Sequence, residues 1–171
     1  MDATHVHLAL THFPIIGTIV GTFILAYGQF SKNDIIKKVA LVTFVSMAIL
    51  TVPVFLTGEG AEETVEKIAG VSETLMEEHE ELAEKAIWLM GLLGVLSAIG
   101  FYAIAVNLSF SKTITLVTLV VSLATCGVFA KVGNLGGQIR HSEIRAAGAD
   151  SASGSTSAQV ESGDEEEDDD D

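Results

Sequence analysis

His5-Val-His7-Leu-Ala-Leu-Thr-His12-Phe-Pro14-Ile-Ile-Gly17 opens a segment that stays apolar as far as Phe30. A helix needs about 20 consecutive apolar residues to cross ~30 Å of hydrocarbon, and this segment supplies them. Three more runs of similar length follow, roughly 35–55, 86–106 and 114–132. Core strands would be shorter and would alternate polar with apolar residues, so the pattern predicts an all-α membrane protein, an up-and-down bundle of four transmembrane helices. Imidazole gains little in a lipid-facing helix, and ionisable groups at membrane depth mark a pathway, a ligand or a metal. Histidines at the mouth of the first span are therefore the candidate site around which the other elements are read.

The chain has 171 residues, an apolar fraction of 49% and a net charge of −14, with charge gathered into a few stretches. Much of the negative charge lies at the end, Gly163-Asp-Glu-Glu-Glu-Asp-Asp-Asp-Asp171. A block of one sign preceded by Ser, Gly and Ala buries no core, which divides the chain into a transmembrane domain, 1–145, and a disordered acidic tail, 146–171. Such a balance excludes nucleic acid as a partner, and the tail serves to solvate or to dock a basic electron carrier. The single cysteine, Cys126, falls inside the fourth run and reads as a small apolar filler. The amino terminus lacks the pattern of a secretory signal.

Lys32, Lys37 and Lys38 follow the first span, and Lys112 lies between the third and fourth. Both loops are short and nearly free of acid, which places that side in the cytoplasm and both termini on the outer side of a multi-pass cell membrane protein. The second span is expected to end around Pro53, Thr57 and Gly58. In the outer connection, Ser72 reads as an N-cap for an amphipathic helix that continues into the third span. Ser72, Leu75, His79, Leu82 and Ala86 recur at spacings of three and four, with Glu73, Glu77, Glu78, Glu80, Glu81 and Glu84 between them, so His79 is on the inward stripe. Glycines 133, 136 and 137 are expected to end the fourth span, after which Arg140, His141 and Arg145 emerge on the outer side. All five histidines then share one membrane face.

Haem iron in b-type carriers takes two axial imidazoles from facing helices. His7 and His12, five residues apart, are separated by about 140° around a helix, so they serve different irons or different roles. Pro14 either loosens the interior of the first helix or occupies its first turn. Gly17 and Gly21 form a small-xxx-small pair that admits another helix or a flat cofactor. A zincin motif is absent because Ala83 stands where His79-Glu80 would need a second histidine, and Met76 and Gln138 stand where di-iron Glu-x-x-His pairs would need Glu. No Cys-x-x-Cys-His attachment occurs, so any haem is held non-covalently.

These residues carry a resemblance. His7-x4-His12-Phe-Pro14, then Thr57-Gly58, then His79, then Gly136-Gly137-Gln-Ile-Arg-His141, resembles a bacterial family of small four-helix membrane proteins catalogued as a domain of unknown function, over roughly residues 5–145. Where family members have His-Pro at the first histidine, Leu8 follows His7. The resemblance implies the fold and the membrane location, and its matching positions are His7, His12, His79 and His141, with His5 outside the pattern. Four such histidines fit two haem b groups in an electron carrier between quinone and an outer-face partner, with Arg140, Arg145 and Lys131 available to the propionates. A haem-free site for Cu, Zn or Fe is the alternative, and a structural subunit with titrating histidines the third reading.

Overall fold

A computed structural model describes residues 3–65 and 72–140. These form four helices, α1 (Ala3–Phe30), α2 (Asp34–Val65), α3 (Glu73–Ala105) and α4 (Ser111–Arg140). Each is long and apolar enough to cross a membrane, as the hydrophobic runs predict. Successive helices pack side by side and α4 closes back onto α1, giving an up-and-down ring in which α1 lies diagonally opposite α3. The acidic tail, with His141 and Arg145, lies outside the described residues.

The two turns at the lysine end have the same geometry. After α1, Lys32 takes a left-handed φ of 54° while the amides of Lys32 and Asn33 reach back to the carbonyls of Gln29 and Gly28. After α3, Asn107 takes φ 58° while the amides of Asn107 and Leu108 reach back to Ile104 and Ala103. Both are Schellman closures, which satisfy the orphan carbonyls of a helix end and reverse the chain within a few residues. Asn33 also starts α2, its side-chain oxygen accepting from the amides of Ile35 and Ile36.

The exterior is apolar and much of the interior is polar. Phe23, Phe30, Ile35, Trp88 and Tyr102 are exposed, whereas Thr18, Thr22, Ser97, Thr115, Thr118, Ser122 and Thr125 are buried. Each of these inward hydroxyls donates to a carbonyl three or four residues earlier in its own helix, as Thr18 does to Pro14 and Thr125 to Val121, so burial costs no unpaired group. Small hydroxyl residues inside and large apolar ones outside are the arrangement that helices adopt in lipid. Leu25, Phe44, Met90, Leu93 and Phe129 fill the remaining core.

Three features of the sequence resolve differently from, or more finely than, expectation. Pro14 lies in the interior of α1 and not in its first turn. α2 continues through Pro53 to Val65, and α4 through its glycines to Arg140. Proline removes only its own amide from the helical ladder, and an apolar medium leaves the other backbone groups no partner but the helix. Gly17 and Gly21 are filled from α2: a Cβ at these positions would lie 2.2 Å from Met47 Sδ and 2.7 Å from Phe44 Cε1. The pair therefore seats a helix, and no flat group has space there.

Gly94 makes an equally tight seam between α3 and α2, where an added Cβ would come within 2.7 Å of the Cβ of Ala48. Gly94→Ala should lower stability by about 1–3 kcal/mol, the cost of overpacking. Ala48→Gly in the same chain should recover most of that loss. Unfolding of the single and double variants in detergent measures both, and absence of recovery would contradict this packing.

Candidate histidine site

Antiparallel pairing brings the start of α1 beside the end of α2, and the start of α3 beside the end of α4. At this end of the bundle two imidazoles turn inward. His7 is partly buried, and its Nδ1 lies 2.9 Å from the carbonyl oxygen of Val54. His79 is partly buried, and its Nδ1 lies 3.1 Å from the carbonyl oxygen of Val132. A carbonyl only accepts, so each Nδ1 carries the proton and donates. In the neutral ring this leaves the lone pair on Nε2, free of any hydrogen bond among the described residues.

Glycines flank both of these bonds. In a regular helix the carbonyl of Val54 accepts from the amide of residue 58, and that of Val132 from the amide of residue 136. Both positions are glycine, so no side chain covers the carbonyl from the flank. A Cβ on Gly58 would lie 3.4 Å from Cε1 of His7, and a Cβ on Gly136 would lie 3.3 Å from Cε1 of His79. Each ring thus rests edge-on against a bare stretch of the neighbouring helix. Thr57 adds its hydroxyl to the same Val54 carbonyl at 3.0 Å.

His79 reaches its position as the sequence predicts. Ser72 caps α3, accepting from the amide of Leu75, and Met76, His79, Leu82 and Ala86 follow on the inward side. Glu73, Glu77, Glu78, Glu80, Glu81 and Glu84 are all exposed. The two inward rings come from the diagonal helices α1 and α3.

The remaining candidates do not join them. His12 is exposed, its Nδ1 3.1 Å from the Leu8 carbonyl of its own helix, so the ~140° that separates it from His7 carries it to the outside of the bundle. His5 is exposed as well, and so is Lys131. Arg140 ends α4 at the histidine end, while His141 and Arg145 lie outside the described residues. Among the described residues no group of three or more His, Cys, Asp or Glu is placed to hold a metal ion. Sequence reasoning did not identify Val54, Val132, Gly58 or Gly136 as the groups that set the rings. The signal was present as Val-x3-Gly near the end of both even-numbered helices. No family model, curated protein or solved structure matches this chain.

Branched side chains at the two glycines would push the rings off their carbonyls. Gly58→Val and Gly136→Val should each lower stability in detergent by about 1–3 kcal/mol. His12→Ala, on the outer surface, should change it by no more than about 0.5 kcal/mol. An equal cost for all three would show that the inward and outward histidines are not distinguished in this way.

Proposed function

We propose that His7 and His79 would hold a b-type haem, one imidazole from each, in a membrane-embedded protein that would pass electrons between quinone and a carrier on the outer face. The carrying observation is the matched pair of Nδ1 donations, to Val54 and to Val132, which presents two oriented Nε2 lone pairs from diagonal helices. Histidines that bind metals are held in this way, the second ring nitrogen donating to a carbonyl and fixing both tautomer and orientation. Two imidazoles also suit haem better than a bare ion. The porphyrin supplies four nitrogens to its iron, whereas a structural zinc takes four ligands and a catalytic one three from protein. Haem bound here supplies one-electron redox chemistry.

The chain's own residues orient the site. Val54 and Val132 hold the rings, Gly58 and Gly136 leave space for them, and Arg140 is the last residue of α4 at the same end. Lys32, Lys37, Lys38 and Lys112, four of the nine basic residues, lie at the short turns of the opposite end, and basic residues in short loops support a reading in which that end is cytoplasmic and the histidine end faces outward.

Protein purified from membranes should show a sharp Soret band, with an α-band on reduction. A colourless preparation that retains Cu, Zn or Fe would contradict haem and favour a bare-metal site. A reporter inserted after Lys32 or Lys112 should behave as cytoplasmic, and one in the acidic tail as external. The reverse pattern would place the histidines on the cytoplasmic face and remove the outer carrier from the proposal.

A further inference from the structure

The two halves of the bundle repeat each other in a way that bears on how many centres the chain holds. Moving α1 forward by 72 residues places His7 on His79. With the register fixed by those histidines alone, every buried position among the described residues of α1 falls on a buried position of α3: Pro14, Thr18, Gly21, Thr22, Leu25 and Gly28 land on residues 86, 90, 93, 94, 97 and 100. Moving α2 forward by 78 residues places Val54 on Val132 and Gly58 on Gly136. Of the buried positions described in α2, Lys37, Ala40, Phe44 and Thr51 then land on buried Thr115, Thr118, Ser122 and Phe129, while Leu41 and Ala61 land on partly buried Leu119 and Ile139. The six-residue difference between the registers is taken up around the turn, where α3 runs further than α1 before the same Schellman closure.

A two-fold relation requires equivalent residues to meet where the axis passes between them. Thr18 and Met90 are equivalents, and the Thr18 hydroxyl lies 3.7 Å from the Met90 sulfur across the middle of the bundle. His7 and His79 are equivalents, and both lie at the histidine end of the bundle. Both pairs link α1 with α3, the diagonal helices. Parallel repeats of this kind place their axis along the membrane normal, with binding sites at the repeat interface.

We infer that α1–α2 and α3–α4 are two copies of one helical hairpin, and that the pseudo-two-fold axis between them carries a single metal centre with one equivalent imidazole from each copy. The equivalent of His12 is Glu84 and that of His141 is Glu63, so the repeat generates one symmetric imidazole pair and no second. The chain therefore holds one iron, not two, with His7 and His79 contributing equally, and Gly58 and Gly136 acting as the paired positioning residues. The inference takes its ligand chemistry from the haem reading, but its symmetry rests on the backbone and burial pattern.

Titration of the purified full-length protein with haemin, and separately with Cu(II), tests both. One haemin per chain in a six-coordinate low-spin state is expected, with His7→Gly and His79→Gly losing that state to the same extent and His12→Ala keeping it. Added imidazole should restore the low-spin signal in both glycine variants, a recovery that a misfolded chain would not give. A second haemin per chain that His12→Ala removes, or rescue at only one of the two positions, would overturn the single symmetric centre while leaving haem binding intact. If the wild type binds no haemin but Cu(II) shows two equivalent nitrogens, lost equally on replacing either histidine, the haem reading fails and the symmetric site stands. A wild type that takes up neither probe overturns both.

Discussion

Each inward imidazole is tied through Nδ1 to a carbonyl of the helix that follows it, and that bond fixes which nitrogen is left for chemistry. Without it a histidine at a helix mouth could turn to solvent, to lipid or to its own helix, as His12 does toward Leu8. With it, His7 and His79 each keep an Nε2 lone pair that no hydrogen bond among the described residues takes up. Glycine one turn later, at residues 58 and 136, leaves the flank of each carbonyl open and the ring close against the helix. The bond needs helices that stay regular to their ends, which is why the continuation of α2 past Pro53 and of α4 past Gly133 matters to the site.

The rest of the bundle serves to bring those ends together. Met47 and Phe44 seated on Gly17 and Gly21, and Ala48 against Gly94, set the rotation of α1 and α3. Rotation decides which histidine of α1 looks inward. The inward hydroxyls of Thr18, Thr22, Thr118 and Thr125 are spent on their own helices, so they do not compete for the imidazoles.

Much of the fold was legible because its signals are local. Hydrophobic run length yields the four helices, and spacings of three and four around Ser72, Leu75 and His79 yield the inward stripe with its exposed glutamates. The helical angle between His7 and His12 was legible too, but not which of them faces the interior, since that depends on contacts with α2 remote in sequence. Helix ends were misjudged at Pro53 and at the glycines of α4, residues that break helices in water more readily than where no other partner exists for the backbone. The correspondence of the two halves is not legible in the sequence, because they share burial and not residue type, as Thr18 with Met90 and Leu25 with Ser97 show.

The ring tautomers carry the account, and nitrogen-15 magnetic resonance of histidine-labelled full-length protein in lipid bilayers reads them directly. His7 and His79 should both show a protonated Nδ1 and an unprotonated Nε2 when neutral, and on addition of one equivalent of haemin both Nε2 signals should shift together. Protonated Nε2 on either ring, or a haemin response confined to one of them, would contradict a paired imidazole centre.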